Sequence, residues 1–395
     1  MFGRSRTMPA HARPGEAKTA SAGYLAMHGI GAAAWTSASY GALAREGFMR
    51  NPVVHRCVRM IAEAAAAVPW VAADGADAAD EGAAMRLLAN PNGRDTTAAF
   101  LESFYGHLLL SGNAFVERTG GGGGEGAGEA LYILRPDRVS VIAGADGWPV
   151  GVDYRAAGTP RRIAFEEPDG TSRLMQMALF HPLDDLRGLA PLHTAAMALD
   201  IHNAAAAWNK ALLDNAARPS GALVYAPQEG GTLAPEQRER LKREFQDNYA
   251  GAANAGRPML LEGGLDWKAM GLSPKDMDFI AAKHAAGRDI ALAFGVPPML
   301  LGIPGDNTYA NYQEANRAFY RLTVLPLATR TADAFARWLD AGVRLVPDLD
   351  AVQGLSGERD ALWARLERAT FLTDDEKREA VGYPPRGRRP RQETS

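Results

Sequence analysis

The spacing of apolar residues changes several times along the chain, and each change marks a different kind of element. After Asn51-Pro52, the string VVHRCVRMIAEAAAAV puts Val54, Val58, Ile61 and Ala65 on one stripe, which predicts a helix with Pro52 in its first turn. A short apolar segment follows at 68–72, then an acidic Gly/Ala/Asp loop. A second helix is predicted over 83–88, stopped by Asn90-Pro91-Asn92. A third runs over about 97–110 and ends at Ser111-Gly112-Asn113. Up to His181 the pattern then becomes one of short strands: AFVERT, ALYILRP, RVSVIA, VGVDYRA, RRIAFEE and MALFH. Gly, Pro and Asp separate them, as antiparallel hairpins require.

Helical spacing returns at Pro191, where one long alanine-rich helix is predicted to about Ala217, on the order of 40 Å. Its small side chains suit close helix neighbours, or simply a good helix former on a buried face. Arg218-Pro219 ends it. A compact insert over 220–271 reads as strand (GALVYAP), charged helix (PEQRERLKREFQDNYAG) and two strands (PMLLEGG and LDWKAMG). Ser273-Pro274-Lys275-Asp276 then opens a helix that reaches Phe294 and stops at Gly295. Beyond the loop MLLGIPGDNTYAN, a very long helix is predicted from near Asn311 to Gly342, kinked at Pro326 because proline removes a backbone donor. A helix over about 357–369, the capping box Thr373 to Glu376 and a basic tail complete an α+β chain.

Composition narrows the function classes. The 395 residues suffice for two or three ordinary domains or one subunit of several parts, and 47% apolar residues can build a large core. A net charge of −3 argues against a protein that coats DNA through a basic surface. Cys57 is the single cysteine, so neither an internal disulfide nor a multi-cysteine zinc site can form. No apolar run approaches the roughly 20 residues of a membrane span. The first 25 residues carry Arg and Pro without an apolar core, and read as an unstructured arm rather than a signal peptide.

Catalytic strings are missing: there is no HExxH, CxxC, P-loop or GxSxG, and no His pair at four-residue spacing. Neither a metal nor a cofactor is expected. Gly121, Gly123 and Gly126 satisfy GxGxxG, which raises a nucleotide-binding enzyme as an alternative. That fingerprint needs a following helix, however, and LYILRP reads as a strand, so the run is expected to be a hairpin tip. Asp184 and Asp185, beside Pro182 and Gly188, read as a loop.

Several strings, in order, resemble the portal proteins of the HK97-like tailed-phage family. They are NPVVHRCVRMIAEAAAAVPW, LLANPN, GNAFVER, LRPDRV, HPLDDLRGLAPL, SPKDMDFIAAKHAAGRDIALAFGVPPMLLG, NYQEANRAFY and FLTDDEKREAVGYPP, spread over 51–385. Compact portals of this kind also occur in gene transfer agents. The resemblance implies a ring of identical subunits, typically twelve, at one capsid vertex of a phage-like particle assembled in the host cytoplasm. It also implies a channel for double-stranded DNA and docking of a terminase motor, the major capsid protein and a head-completion adaptor. By the family's layout, residues 26–189 would be an α/β wing, 190–218 and 273–295 the two stem helices, and 219–272 the clip. Residues 296–311 would hold the tunnel loop, 312–347 the kinked wing helix, and 348–395 a crown with its basic tail.

On that layout the channel residues would be Asp306, Asn307, Thr308 and Tyr309, a loop without cations that lets a duplex slide. Arg386, Arg388, Arg389 and Arg391 of the tail would meet packaged DNA, or else form a solubilising end. Arg240 and Arg243 on the charged helix of the insert would face the docking partner. Another capsid or connector protein is the remaining alternative.

Overall fold

The computed structural model describes residues 35–72, 81–120, 128–156, 158–214, 221–225, 234–249, 265–269, 279–305, 309–339 and 344–381. A short helical segment, α1 (Tyr40–Ala42), runs through a π-turn (Leu43–Phe48) into α2 (Pro52–Ala66). Asn51 caps α2 by accepting from the amides of Val53 and Val54, as its place before a proline foretells. Val54, Val58, Ile61 and Ala65 are all buried, so the predicted stripe is the core face.

Strand β1 (Trp70–Ala72) leads to α3 (Glu81–Ala89) and α4 (Thr97–Ser111). α4 lies against α2. Six strands follow: β2 (Asn113–Thr119), β3 (Ala130–Leu134), β4 (Val139–Ala143), β5 (Pro149–Tyr154), β6 (Arg161–Ala164) and β7 (Leu174–Ala178). They form two antiparallel sheets, ordered β3-β2-β7 and β4-β5-β6. β2 is buried on both faces. Ala114 and Val116 join the helical core, while Phe115 packs with Leu134, Val139, Val152, Ile163 and Leu174 between the sheets. β7 departs from the sequence reading. MALFH was the expected strand, but pairing ends at Ala178, and Phe180 and His181 lie in the following turn.

The long helix expected from Pro191 is interrupted. α5 (Pro191–Thr194) ends at Ala195, whose backbone leaves the helical region, and α6 (Ala196–Asp214) starts again directly after it. The insert contributes β8 (Gly221–Tyr225), α7 (Pro235–Tyr249) and β9 (Leu265–Ala269), with β8 and β9 paired antiparallel. PMLLEGG and the start of the next helix, Ser273 to Asp276, lie outside the described residues. α8 (Phe279–Ala293) packs on α6.

The predicted kinked helix is three pieces: α9 (Tyr309–Phe319), a π-turn (Tyr320–Val324) and α10 (Leu325–Trp338). Pro326 stands in the first turn of α10, where a missing amide costs little, and the π-turn ahead of it absorbs the mismatch. α10 is the buried member, and Phe335 meets Trp70, Phe100 and Phe104 at ring-centre distances of 5.8, 6.3 and 5.5 Å. β10 (Leu345–Pro347), which no local pattern foretold, pairs with β1 and closes this core. α11 (Ser356–Arg368) and α12 (Asp374–Ala380) end the described chain, and the capping box of Thr373 and Glu376 is formed.

Candidate functional site

α6 and α8 run antiparallel. Trp208 stacks on Phe279 with ring centres 4.1 Å apart, and His202 faces Gly287 further along the pair. Only one side of each helix is covered. On α6, Met197, Ile201, Ala204, Ala207 and Ala211 form an exposed stripe at helical spacing. On α8 the exposed side carries Ile280, Ala281, Ala285 and Leu292, interrupted by the charged Arg288. Met197 is 62% exposed, Ile280 69% and Leu292 77%. Beyond α8 the surface continues as a groove of about 380 Å³ lined by the apolar Leu292, Val296, Pro297 and Leu322 and by the charged Arg288 and Asp289. Two adjoining helices with small and apolar outer faces are built to be covered.

A buried polar junction fixes the first of these helices to the core. Asn51, besides capping α2, donates from Nδ2 to His202 Nδ1 (3.0 Å) and to Asn203 Oδ1 (2.9 Å) of α6. Asn203 in turn donates to the carbonyl of Glu46 (2.9 Å). Because Nδ1 accepts, His202 is neutral. Burial first, then the charges of Lys283 and His284 on α8, lowers its pKa from the usual histidine value. Thr36 adds a further tie, donating its amide and hydroxyl to the Asp200 carboxylate.

A second junction joins the strands to the turn that enters α5. Asn113 is buried, and its Oδ1 accepts from Gly188 N (2.9 Å) and Gln176 Nε2 (3.0 Å). Gln176 also donates to the Leu186 carbonyl (2.9 Å). Gly112 and Gly188 allow this closeness. A Cβ on Gly188 would stand 2.1 Å from the Gly112 oxygen, and Gly112 itself has φ +76°. Asp184 closes the turn by accepting from the amides of Leu186 and Arg187. The acid is thus structural, as the loop reading held. The junction borders a polar cavity of about 460 Å³, lined partly by Ser39, Tyr40, Asp137, Arg187 and His193.

Of the predicted site residues, Arg240, Arg243 and Tyr309 are among the described ones. Arg240 and Arg243 are exposed on α7, and Arg243 Nε reaches back to the Glu239 carbonyl at 3.4 Å. Asp306, Asn307 and Thr308 lie outside the described residues, as do Arg386, Arg388, Arg389 and Arg391. Tyr309 corrects the loop boundary, because it opens α9 instead of standing in the loop. The sequence reading missed Arg288 of α8, whose guanidinium donates to the Pro304 carbonyl and holds the start of the loop. Nothing local in the sequence links these two positions.

The glycine fingerprint does not sit in the setting that a dinucleotide site needs. The glycine run 121–127 lies outside the described residues, but it connects β2 to β3, which pair antiparallel up to Thr119 and Ala130. A strand, not a helix, therefore follows it, and the phosphate-binding dipole of a dinucleotide fold is missing. Among the described residues no three His, Cys, Asp or Glu side chains gather to hold a metal, and no helix is long and apolar enough to cross a membrane.

Comparison with known proteins gives consistent matches. The family model described as phage portal protein matches residues 52–382. An uncharacterized protein of Rickettsia felis is 37% identical over 358 residues, covering 88% of this chain and 91% of its own. The portal protein of Enterobacteria phage HK97 is 24% identical over 316 residues, 76% of this chain and 70% of its own. A chain in the neck of a native gene transfer agent particle, computed with C12 symmetry, is 52% identical. It superposes with a TM-score of 0.68 over 90% of this chain and 97% of its own.

Proposed function

The chain belongs to the phage portal protein family, and from that premise we propose that twelve copies close into a ring at one vertex of a gene transfer agent particle. The ring is a passage for double-stranded DNA. A closed ring of one repeated subunit needs two different faces of each copy to meet head to tail. The observation that carries this reading is the pair of uncovered stripes on α6 and α8, of which α6 is tied to the core through Asn51 and His202. The likeness to a neck chain computed with twelvefold symmetry supports the copy number.

The parts take the following roles. Residues 26–189 form the wing, 190–218 and 273–295 the stem, and 219–272 the clip. Residues 296–311 hold the tunnel loop, 312–347 the kinked wing helix, and 348–395 the crown and tail. Asp306, Asn307, Thr308 and Tyr309 present polar, uncharged or acidic groups to a passing duplex. Holding few phosphates keeps friction low, since each neutralised phosphate adds salt-dependent affinity. Arg288 works indirectly, by fixing the Pro304 carbonyl ahead of these residues. Arg386, Arg388, Arg389 and Arg391 contact packaged DNA without reading its sequence. The clip meets the terminase motor and then the head-completion adaptor, while the wing meets the major capsid protein. The role is structural, with no chemical step.

The test is genetic and biochemical together. Particles made without this gene are expected to lack DNA, and particles that still fill would overturn the reading. Charge reversal at Arg240 and Arg243, which stand exposed on α7, should weaken capture of the motor's large subunit without changing ring formation. Equal capture would remove the clip from that role.

A further inference from the structure

The end of the described chain carries an open groove whose chemistry fits one particular segment. α11 has no fully buried residue between Arg359 and Arg368, so its apolar side chains are only half covered. Along one stripe of this helix stand Asp360, Trp363, Ala364 and Glu367, spaced three, four and seven residues from the first. Trp363 is 47% exposed. With Leu366, Lys377, Arg378 and Val381, these residues line a groove of about 690 Å³ between α11 and α12. Arg359 covers the indole at 5.5 Å and is itself paired with Asp350. Asp360 and Glu367 have no ion-pair partner among the described residues. An exposed indole bracketed by two carboxylates without an ion pair among the described residues suits a proline- and arginine-containing strand.

We propose that the chain's own segment 383–391, Tyr-Pro-Pro-Arg-Gly-Arg-Arg-Pro-Arg, docks in this groove. Val381 both lines the groove and ends the described chain. Tyr383 therefore starts within about 7 Å of the groove's edge, the reach of two residues. Asp360 and Glu367 are about 10 Å apart along the helix axis. Tyr-Pro-Pro-Arg in polyproline geometry covers about 12 Å. The rings of Tyr383, Pro384 and Pro385 thus lie along Trp363 while Arg386 and Arg388 reach the carboxylates. Lys377 and Arg378 on the opposite wall set the direction, because they repel the arginines towards α11. The tether makes the chain's own groove the favoured receptor over a neighbouring copy's.

Docking and DNA contact by the tail are alternatives at any instant, because the same guanidinium groups serve both. Failure of one leaves the other standing, since docking is read without DNA. The experiment is limited trypsin digestion of the full-length protein, following cleavage after Arg386, Arg388 and Arg391. Arg389 precedes proline and is resistant. A synthetic peptide of residues 382–395 gives the unprotected rate. The wild-type tail is expected to be cut about ten-fold more slowly than the peptide, protection of the size that weak docking gives. Protection should fade as salt rises. Asp360→Asn with Glu367→Gln keeps the helix and should restore several-fold faster cutting. Trp363→Ala should do the same, with cleavage after Lys377 and Arg378 showing whether α12 stays folded. A wild-type tail cut as fast as the peptide, or a carboxylate double variant with unchanged rates, would overturn the proposal.

Discussion

At the residue scale, the chain's most consequential side chains are buried polar ones that complete a junction. Asn113 satisfies Gly188 and Gln176 at once, so Asn113→Ala leaves the buried Gly188 amide without its acceptor and takes one of two from the half-buried Gln176 amide. A loss of about 2–4 kcal/mol in urea unfolding is expected. A change below about 0.5 kcal/mol would show that the turn does not depend on it. Two histidines set the pH response. Burial drives the pKa of His107 down to about 4, with Arg135 adding to the effect, and Tyr40 holds its Nδ1 at 2.9 Å. His202 is shifted the same way. The unfolded chain therefore binds more protons than the folded one below the ordinary histidine value of about 6.5. Stability is complete above that pH and falls as pH drops towards 4, by about 3 kcal/mol from His107. Unfolding midpoints across pH 4 to 7 should show the slope, and His107→Gln should flatten it. The stripe of α2 was legible because helical spacing alone defines it. The partners of Asn113 were not, since residues 113, 176 and 188 meet only through tertiary closure.

At the element scale, the sequence reading located most helices and strands and missed a break in one of them. Nothing in Leu192-His193-Thr194-Ala195-Ala196 marks a break, because alanine is a good helix former. The interruption at Ala195 follows from Leu192 being buried in the core while α6 departs along α8. The irregularity expected at Pro326 takes the form of a π-turn directly before it, with the proline in the first turn of α10. Pro326→Ala should therefore change stability by less than about 1 kcal/mol, whereas relief of an interior proline would give about 3 kcal/mol or more. Thermal unfolding of the variant separates the two. β10 escaped notice because three residues have too little pattern, and only the pairing of Val346 with Val71 defines them as a strand.

At the scale of the whole molecule, the family and its fold were legible as an ordered series of strings, none of which is decisive alone. The surfaces proposed to make the ring were less so. Alanines in α6 were equally consistent with burial and with close approach of another helix, and the structure resolves this for Ala204, Ala207 and Ala211, which stand exposed. Ile201→Asp places a charge on that stripe without touching the core. It should leave the single chain's unfolding curve unchanged and abolish higher assembly. An assembled variant would move the contact elsewhere.

The most direct measurement is native mass spectrometry of the purified wild-type protein. With a chain of 42.2 kDa, the account predicts one closed species of roughly half a megadalton, as twelve head-to-tail copies require. A protein that remains a single chain at every concentration, or forms open series without a preferred number, would contradict it.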